Sequence, residues 1–413
     1  VALPDDYKSD GPLGGHFGVA YLDGINPSLI TKFENRQGTN RGDFNLMIVA
    51  WDFDGSNITQ RWKWKRGNTG NACNFHQIRI IDVNQDGKDD ICDGTYVIKH
   101  DGSFLYGITN VCHGDRFHVC DMDPDNPGIE GYGTQQYPEH YSWYYYDAAN
   151  GSRLVNGDNV GDVGRAAVGD IDPRYRGYEM WSVGGVYNKD TRITYSMPHV
   201  NFNIWWDGDL LGEILNSTTI YKWDYENSRQ RTVFNGSGVR ATWRNAPPFY
   251  GDVIGDWREE VLWETSDYSA LRLYSTTEST SHSITTLSQN RGYRNCLTVK
   301  GYYQSNLVDY YLGDGMDSTS SSIDSDNRWK DPDEEDMSIP KRFNLAQNYP
   351  NPFNRETVIN YQLPDAGEIQ LEIFNILGEK IRTLVNNYQA AGNYTVRWNS
   401  LDESGKQVSS GVY

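Results

Sequence analysis

Histidine and arginine side chains give this sequence the groups that could move a proton and stabilise negative charge on oxygen. The candidates are His76, His113, His118, Arg165, Arg240 and Arg244. The sequence contains no Gly-x-Ser-x-Gly elbow, phosphate-binding loop or His-Glu-x-x-His motif, which disfavours an esterase, a nucleotide-dependent enzyme and a zinc peptidase. Histidine suits a general base by its pKa, whereas arginine, with a pKa above about 12, suits charge stabilisation.

β-Elimination on a uronic acid is a reaction that such groups could catalyse. Its slow step is the loss of the proton on C5, beside a carboxylate whose charge opposes that loss. A calcium ion or an arginine on the carboxylate stabilises the enolate-like transition state, and a nearby base takes the proton. The competing interpretation is structural, since a histidine near an acidic turn is more often a hydrogen-bonded residue of the fold. Arg165 could likewise pair with Asp162 or Asp170. Of the candidates we interpret His118 as structural, together with His140 and His199.

The run Asp82-Val-Asn-Gln-Asp-Gly-Lys-Asp-Asp90 has the spacing of a calcium-binding loop. The side chains at its positions one, three, five and nine carry oxygen and are Asp82, Asn84, Asp86 and Asp90. Calcium takes six to eight oxygen ligands, and Gly87 allows the sharp turn that brings them together. An EF-hand would need a glutamate at position twelve and flanking helices, but Asp93 stands there and the flanks 77–81 and 95–98 are typical of strands. The pattern therefore predicts a calcium loop that joins two strands.

Altered copies of this loop recur along the first three quarters of the chain. The ligands predicted in them are Asp121, Asp123, Glu130, Asp170, Asp172, Glu179, Asp252, Asp256 and Glu260. Two further acidic turns, Asp23-Gly-Ile-Asn26 and Asp207-Gly-Asp209, fit loosely. Repeats of roughly 40 to 50 residues that hold several strands are typical of propeller blades. The alternative is that these turns bind only water, because acidic Gly/Asp turns are common in β proteins.

The composition supports a folded, acidic, strand-rich protein. The chain has 413 residues, 37% of them hydrophobic and 13% aromatic, which suffices for two or three domains with their own cores. Its 29 Tyr, 13 Trp and 41 Gly favour strands joined by tight turns, and no long amphipathic helix stands out. The formal net charge of −19 argues against nucleic acid and anionic membranes as partners. Bound calcium would offset part of that charge.

The five cysteines, Cys73, Cys92, Cys112, Cys120 and Cys296, are too few for a disulfide scaffold and show no zinc spacing. Their number is odd, so at least one does not pair within this chain, and the pairing of the others stays open. No apolar run is long enough to span a membrane. The chain begins at Val1 without a signal peptide, so we expect it to come from a longer precursor, and we expect a monomer.

Three segments differ in character. Short aromatic or β-branched runs alternate with Gly, Asp and Asn over residues 1–316 and predict an all-β repeat fold. Residues 317–340 are rich in serine and acidic residues and predict a linker. In residues 341–413 apolar and polar residues alternate, as in Ile369, Leu371 and Ile373, which predicts a small β-sandwich.

The final segment resembles the C-terminal sorting domain of type IX secretion substrates. The resemblance rests on Leu345-Ala-Gln-Asn-Tyr-Pro-Asn-Pro-Phe-Asn354, Ile376-Leu-Gly-Glu-Lys380 and Ser410-Gly-Val-Tyr413. It implies export across the outer membrane by the type IX secretion machinery, followed by anchoring at the cell surface or release. In that family the domain continues past the Gly-Val-Tyr run, so we expect the chain to be truncated at both ends.

The runs 82–91, 113–124, 162–181, 201–211 and 255–263 resemble polysaccharide lyase family 11, the rhamnogalacturonan lyases. The similarity spans residues 1–316 and ends on Tyr311-Leu-Gly-Asp-Gly-Met316. It implies an eight-bladed propeller with several structural calcium ions and at least one at the active site. It also implies cleavage of the rhamnose–galacturonate bond of rhamnogalacturonan I by β-elimination. The N-terminal blades would be missing, leaving about six of eight.

Matched by position, the resemblance places the cleft histidines at His76 and His113 and a galacturonate-contacting arginine at Arg165. A cleft tyrosine falls on Tyr302, and Trp243 or Tyr302 could form a sugar platform. The family's active-site lysine, which follows an Asn-Gly-Thr run, falls on Arg244, where the preceding residues are Ala-Thr-Trp. Arginine keeps the positive charge but is a poorer base, so the role of this position and the rhamnose contacts are altered.

A second hypothesis from another class is a non-catalytic calcium propeller that acts as an adhesin or a lectin. Integrin-type Asp-x-Asp-x-Asp-Gly loops build such proteins too. The histidines and arginines at family positions favour the enzyme over the adhesin.

Overall fold

Strands dominate this computed structural model, as the β-branched and aromatic runs of the sequence predict. It describes residues 14–36, 44–67, 72–136, 141–299, 305–316, 343–346, 348, 353, 356–375 and 377–408. The predicted linker and Tyr302 lie outside the described residues. The chain divides into two compact units, Val1–Trp329 and Lys330–Tyr413. Within the described residues no helix is long and apolar enough to cross a membrane.

The described residues of the first unit form six four-stranded antiparallel sheets, each built from consecutive strands. Sheets 1 and 2 consist of β1 Gly14–Ala20, β2 Ser28–Arg36, β3 Phe44–Phe53, β4 Ile58–Lys65, β5 Arg79–Ile81, β6 Asp90–Asp93, β7 Tyr96–Ile98 and β8 Phe104–Gly107. Sheets 3 and 4 consist of β9 Phe117–Cys120, β10 Glu130–Thr134, β11 Trp143–Asp147, β12 Arg153–Asn156, β13 Ala166–Gly169, β14 Glu179–Ser182, β15 Gly185–Asn188 and β16 Thr191–Thr194. Sheets 5 and 6 consist of β17 Phe202–Ile204, β18 Glu213–Asn216, β19 Thr219–Asp224, β20 Arg229–Asn235, β21 Val239–Arg240, β22 Phe249–Gly251, β23 Glu260–Thr265 and β24 Leu271–Tyr274.

Burial falls from the first strand of a sheet to the last. The strands β5, β9, β13 and β17 are buried at every residue, whereas β12, β20 and β24 alternate or are mostly exposed. The first strands of successive sheets contact each other in the order β1, β5, β9, β13 and β17. The hydrophobic clusters lie between neighbouring sheets, as where Phe75 and Val97 of one sheet region pack with Phe117 and Tyr144 of the next. The first strands are therefore gathered in the interior of the unit.

Glycines in β10 make room for tyrosine rings on the neighbouring strand. Gly131 is paired with Tyr146 and Gly133 with Tyr144 in the antiparallel register of β10 and β11. The two tyrosine rings are stacked with their centroids 5.7 Å apart, and both are fully buried. A β-carbon on either glycine would overlap the ring opposite it. The alternating Gly-Tyr-Gly run thus fixes the side on which these large rings are buried.

The innermost position of sheet 6 is shared by two short strands. Both β21 and β22 pair with β23, through Val239 and Arg240 at one end and residues 249–251 at the other. Residues 241–248 interrupt this position and contain a 3₁₀ turn at Trp243–Asn245. The chain therefore leaves the sheet at the place where Trp243 and Arg244 stand.

A short helix, α1 Arg291–Thr298, packs against β1 of sheet 1 and β5 of sheet 2. Asn290 caps its N-terminus by accepting the N–H of Tyr293. The buried guanidinium of Arg79, on β5, donates hydrogen bonds to the carbonyls of Gly292 and Leu307, each at 2.9 Å. The side chain of Asn295 donates to Asp89 at 2.9 Å. The sequence analysis did not predict this helix.

The second unit contains two antiparallel sheets. A three-stranded sheet has the order β25 Asn344–Leu345, β26 Thr357–Leu363 and β29 Gly392–Trp398, and a hairpin pairs β27 Gly367–Phe374 with β28 Lys380–Gln389. The alternation predicted at Ile369, Leu371 and Ile373 falls within β27. The buried residues of the second unit include Ile359, Tyr361, Leu363 and Trp398.

Both strands predicted beside the first acidic loop are present, but the strand that directly follows the loop was missed. The loop at 82–90 leads from β5 into β6 Asp90–Asp93, and β7 Tyr96–Ile98 follows as a separate strand. Aspartate is depleted in strands, so the Asp-Ile-Cys-Asp run gives no strand signal. Here Asp93 is buried and accepts a hydrogen bond from the hydroxyl of Tyr96 at 2.8 Å, which stabilises the carboxyl group inside the sheet.

We predict that Gly131→Ala destabilises the first unit by about 1–3 kcal/mol, because the added methyl group overlaps the Tyr146 ring and forces it to move. The measurement is the free energy of unfolding from urea titration followed by tryptophan fluorescence. Gly15→Ala is the matched control, since the nearest atom to its added β-carbon would be the Lys32 carbonyl oxygen at 3.7 Å. Equal losses in the two variants would contradict the proposed packing.

Candidate functional site

Three of the histidine and arginine candidates lie at one end of the innermost strands. His76 precedes β5, His113 precedes β9 and Arg165 immediately precedes β13. Because these first strands lie side by side, the segments that enter them lie side by side as well. Residues separated by dozens of positions in the chain therefore meet at a common edge.

Two of these segments run parallel and in direct contact; we call residues 72–77 the His76 segment and residues 111–116 the His113 segment. Phe75 and Gly114 form an isolated parallel bridge between them. The imidazole rings of His76 and His113 are 4.8 Å apart between centroids and lie at 89° to each other. A β-carbon on Gly114 would overlap the Thr134 carbonyl and the Phe75 ring, so only glycine permits this approach.

The tautomer of His113 follows from its hydrogen bond. Its Nδ1 lies 2.7 Å from the backbone carbonyl oxygen of Asn74, an acceptor only, so Nδ1 carries the proton and donates it. In the neutral imidazole the lone pair is then on Nε2. Burial lowers the pKa of His113, which keeps the ring neutral near pH 7. Nε2 is therefore the ring nitrogen whose lone pair can take up a proton.

The carboxylate of Asp115 joins the predicted residues into one cluster. Its Oδ1 lies 3.6 Å from Nε2 of His76 and accepts a hydrogen bond from the side chain of Gln136 at 2.9 Å. Burial raises the pKa of Asp115, while electrostatic interactions with His113, Arg244 and Arg165 oppose that rise. Asp115 therefore interacts with His113, Arg165 and Arg244, and it lies 3.6 Å from His76. The sequence analysis missed Asp115, although its place two residues after His113 was a usable signal.

A second ionic group supports the His76 segment from behind. The buried ammonium of Lys32 pairs with Asp93 at 2.7 Å and donates to the carbonyl of Phe75 at 2.6 Å. Its other partner is Glu34 at 3.3 Å, and Glu34 lies 4.0 Å from Nδ1 of His76. Burial alone would raise the pKa of Glu34, but the charge of Lys32, a hydrogen bond with His16 and electrostatic interactions with the neighbouring histidines lower it to about 2. This carboxylate stays ionised, and it holds a negative charge beside the imidazole.

His76 itself is neutral at pH 7. Burial, together with the nearby His113, lowers its pKa to about 4. About 31% of its side chain is accessible to solvent, so a ligand in the cleft could reach it. His118, interpreted above as structural, is fully buried and lies 3.1 Å through Nε2 from the carbonyl of Ala166. His199 packs against the Tyr221 ring, and His140 lies outside the described residues.

The loop that interrupts sheet 6 presents Trp243 and Arg244 together. Arg244 stacks on the Trp243 ring with 4.5 Å between the guanidinium carbon and the ring centroid, and 69% of Trp243 is exposed. Arg244 and Asn245 both adopt the left-handed backbone conformation with φ of 63°. A strained backbone conformation persists where the surrounding structure enforces it. Here the Asn245 carbonyl accepts hydrogen bonds from the Ser217 N–H and the Asn201 side chain, which hold the turn in place. The remaining candidate, Arg240, pairs with Glu264 at 2.8 Å within the sheet.

The predicted calcium ligands lie at the opposite end of the same strands. We call the segments 82–90, 121–130, 170–179, 207–213 and 252–260 the acidic turns; in each sheet they join the first strand to the second or begin just beyond the first. A glutamate at the start of the second strand binds backbone N–H groups at the start of the turn in four of them. In one, the carboxylate of Glu130 accepts the N–H groups of Met122 and Asp123 at 3.0 and 3.3 Å. The equivalent acceptors are Glu179, Glu213 and Glu260.

Several carboxylates in these turns fit a bound cation. One oxygen each of Asp90, Asp121 and Asp170 is buried and lacks a hydrogen-bond donor among the described residues. Burial, aided by neighbouring carboxylates, raises the pKa of each of these three groups to about 7. A hard cation with oxygen ligands would satisfy these atoms and relieve the repulsion. In the first turn Asp82, Asn84 and Asp86 also accept backbone N–H groups of the turn.

Basic side chains contact other predicted ligands. Asp123 pairs with Lys189 at 2.7 Å, Asp172 with Arg174 at 2.6 Å and Asp256 with Arg258 at 2.5 Å. The side chain of Lys189 is 38% exposed and that of Arg174 is 48% exposed. Exposed ion pairs contribute little stability, so either side chain could give way to a bound cation with little loss of free energy.

The turn at 207–213 holds a cation of the protein itself. The ammonium of Lys222 lies 2.5 Å from Asp207, 2.6 Å from Asp209 and 2.8 Å from Glu213. Burial lowers the pKa of Lys222, but the charge of Glu213 and its hydrogen bonds raise it above its ordinary value, so the ammonium stays charged. Lys222 supplies the positive charge that a metal ion would supply in such a turn.

In the cleft, His76, His113 and Asp115 have ligand atoms within 4.8 Å of one another. Only Asp115 offers oxygen, and calcium prefers oxygen ligands, so these three side chains alone do not fit a calcium ion. The calcium ion expected at the active site therefore stays a prediction.

Comparisons with known proteins confirm the resemblance to the rhamnogalacturonan lyases, whereas the type IX sorting domain stays a prediction. The profile of rhamnogalacturonan lyase family 11, C-terminal domain, matches residues 15–322, and that of the FlgD Ig-like domain matches residues 353–413. Rhamnogalacturonan endolyase YesW from Bacillus subtilis is 39% identical over 311 residues, covering 72% of this chain and 49% of that protein. Rhamnogalacturonan exolyase YesX from the same organism is 35% identical over 328 residues, covering 72% and 52%.

Solved structures of rhamnogalacturonan lyases are also similar to this chain. The crystal structure of YesW superposes with a TM-score of 0.69 and 38% identity, covering 74% of this chain and 52% of that chain. Bacillus licheniformis rhamnogalacturonan lyase PL11 gives a TM-score of 0.69 and 37% identity, covering 73% and 52%. The chain spans about half the length of the relatives that it matches.

We predict that Lys222→Met destabilises the first unit by about 3–5 kcal/mol, because it leaves buried Glu213 beside two aspartates without a counter-charge. The matched control is Lys189→Met, which removes one half-exposed ion pair and should cost less than about 1 kcal/mol. Urea unfolding of both variants measures the difference. Similar losses would mean that Lys222 does not neutralise the turn at 207–213.

Proposed function

Because the chain belongs to rhamnogalacturonan lyase family 11, we propose that its first unit cleaves the rhamnose–galacturonate bond of rhamnogalacturonan I by β-elimination. The observation that carries this proposal is the cluster of His76, His113, Arg165 and Arg244 around Asp115. A cleft that holds two neutral imidazoles beside two permanent cations can remove a proton next to a carboxylate. The product would carry an unsaturated galacturonate at its new end.

In the proposed reaction Arg165 and Arg244 bind the galacturonate carboxylate and stabilise the negative charge that develops on it. Permanently charged, fixed donors stabilise such a transition state without reorganising during the reaction. Arg244 is better suited to this role than to that of a base, since a guanidinium presents several fixed hydrogen-bond donors to a carboxylate. The exposed Trp243 ring beside it offers an apolar face for a sugar, as does Tyr302 by family resemblance.

The base in this proposal is an imidazole of the cleft. The Nε2 lone pair of His113 is fixed by the bond from Nδ1 to Asn74, and His76 lies against the same ring. As the base takes the C5 proton, the C–H electron pair forms the C4–C5 double bond and the C4–O bond breaks, with the oxygen leaving on rhamnose. Asp115, 3.6 Å from His76, stabilises positive charge on the imidazole that receives the proton.

We also propose that calcium ions occupy acidic turns of the first unit. The unpaired buried oxygens of Asp90, Asp121 and Asp170 support this, as does the oxygen-rich first turn. Bound there, calcium would stabilise the turns and reduce the negative charge of the chain. We do not expect calcium in the turn at 207–213, because the ammonium of Lys222 already pairs with its carboxylates.

The larger architecture and the location are part of the same proposal. The six sheets, with buried first strands in contact in chain order, suit the blades of a β-propeller. The lyase domain would span residues 1–316 and the sorting domain residues 341–413, joined by the acidic linker 317–340. The Asn-Tyr-Pro-Asn-Pro-Phe run supports a sorting domain recognised by the type IX secretion machinery, and hence a secreted or cell-surface monomer.

The competing function is a non-catalytic calcium propeller that binds carbohydrate. It requires only the acidic turns and the exposed aromatic side chains of the cleft. It gives no reason for two neutral imidazoles and a carboxylate within 4.8 Å of one another beside two arginines. We therefore favour the lyase.

We expect the full-length protein to generate the ultraviolet absorbance of an unsaturated uronate from rhamnogalacturonan I, and His113→Gln to lower kcat by about 10²- to 10⁴-fold because the general base is lost. Initial rates from that absorbance measure the effect. His282→Gln is the matched control, since His282 is exposed and outside the cleft, and its rate should equal that of the wild type. Binding of the polysaccharide without any rise in absorbance would support the adhesin instead.

We also expect removal of calcium with EGTA to lower the melting temperature of the full-length protein. At a free calcium concentration 100 times Kd, each filled site adds about 2.7 kcal/mol of stability. Thermal unfolding with and without calcium, together with a metal count by mass spectrometry, measures this. Asp121→Asn should lower the count, whereas Asp267→Asn, in an exposed turn outside the acidic turns, should not. Identical melting temperatures with EGTA and with calcium would overturn the proposal.

A further inference from the structure

Two cysteines stand next to the catalytic candidates, one in each of the two parallel segments. Cys73 belongs to the His76 segment, and Cys112 directly precedes His113. Their sulfur atoms are 2.7 Å apart, closer than two thiols that merely pack together. Cys73 is buried and Cys112 is partly exposed. No part of the proposed reaction requires either thiol.

The backbone on both sides holds these two sulfur atoms in register. Cys73 is fixed by Thr95, whose hydroxyl accepts the Cys73 N–H at 2.9 Å and donates to the Cys73 carbonyl at 3.1 Å. The N–H of Cys112 donates to the side chain of Gln135 at 3.2 Å. Residues one and two positions further along the two segments are also joined, by the bond from His113 to the Asn74 carbonyl and by the bridge at Phe75. The contact of the thiols thus follows from the parallel run of the segments.

We propose that Cys73 and Cys112 form a disulfide in the oxidised protein and that this bond holds His76 and His113 at their working separation. The two cysteines are then positioning residues, which touch no substrate. The bond would close a loop of 39 residues between neighbouring sheets. The positioning role rests on the proposed lyase function, whereas the cross-link itself does not.

The other three cysteines do not offer such a partner. Cys92, Cys120 and Cys296 are buried, and within the described residues the only sulfur–sulfur contact is the one between Cys73 and Cys112. Cys296 lies against the guanidinium of Arg79 and the Leu307 carbonyl. One pair and three thiols account for the odd number of cysteines.

The bond can form by thiol–disulfide exchange with a small disulfide such as oxidised glutathione. The partly exposed Cys112, as its thiolate, attacks one glutathione sulfur and releases the other glutathione as a thiol. Cys73 then attacks the Cys112 sulfur and releases the second glutathione. In total two S–H bonds and one S–S bond break, one protein S–S bond and two glutathione S–H bonds form, and the two electrons pass to glutathione. The contact with Cys112, together with burial, raises the pKa of Cys73 and disfavours its thiolate. Cys112 is therefore the cysteine that attacks first.

Proteolytic mapping tests the cross-link directly. Trypsin is expected to release Cys73 in the peptide 67–79 and Cys112 in the peptide 100–116, each with a single cysteine. After the folded full-length protein is treated with oxidised glutathione and then alkylated and digested without reductant, we expect these two peptides to be joined. The peptide 89–99, which carries Cys92, should be alkylated after denaturation and serves as the internal control. Recovery of peptides 67–79 and 100–116 as separate alkylated thiols would overturn the cross-link.

Kinetics test the positioning role. We expect reduction of the oxidised wild type with a phosphine to lower kcat by up to about tenfold with KM unchanged, since small displacements of catalytic groups act on the chemical step. Cys112→Ser should resemble the reduced wild type and should not respond to the phosphine. Cys73→Ser and the double variant should have the same kcat as Cys112→Ser, because each removes the same single bond. An unchanged kcat after reduction overturns the positioning role.

The two proposals can fail separately. Joined peptides in a protein without lyase activity would uphold the cross-link and reject the lyase, and with it the positioning role. An active enzyme whose two peptides are never joined would uphold the lyase and reject the cross-link. Joined peptides with an unchanged kcat after reduction would leave the bond as a purely structural link.

Discussion

The structure depends on a buried carboxylate that begins the second strand of a sheet and binds the N–H groups of the turn before it. Glu130, Glu179, Glu213 and Glu260 all do this, and Asp90 takes the same place in sheet 2. A turn closed in this way fixes where the first strand ends. Since β5, β9, β13 and β17 are only three or four residues long, it also fixes where their other ends lie. The geometry of the cleft is therefore set by bonds on the far side of the sheets.

This arrangement separates charge within a strongly acidic protein. The acidic turns lie at one end of the first strands, and the imidazoles and guanidinium groups of Arg165 and Arg244 lie at the other. A strand of three residues is roughly 10 Å long, about one Debye length at 0.1 M salt. A chain with a net charge of −19 would repel an anionic polysaccharide unless such a region attracted it locally. Neutralisation of the turns, by Lys222 in one and by the proposed calcium ions in others, would weaken that repulsion further.

Contacts with neighbouring parts of the first unit hold the candidate catalytic groups in place. Lys32 is fully buried with Asp93 and Glu34, and removal of any one of these three would leave an uncompensated charge beneath the His76 segment. Arg244 and Asn245 stay in a strained backbone conformation because the preceding sheet binds the Asn245 carbonyl. Glycine at position 114 allows the two histidine segments to touch. Each feature trades stability for a fixed orientation of the reacting groups.

The sequence by itself determined the features that depend on local order. These include the all-β character, the alternation in β27, the repeated acidic turns and the family to which the residues belong. It also selected His76, His113, Arg165 and Arg244 by resemblance. Only the tertiary structure revealed Asp115 as their common neighbour, Lys222 within its three carboxylates, β6 with its buried Asp93, and the contact between Cys73 and Cys112. These pairings join residues from different strands or sheets. Their geometry follows from how the sheets pack, which spacing along one chain does not encode.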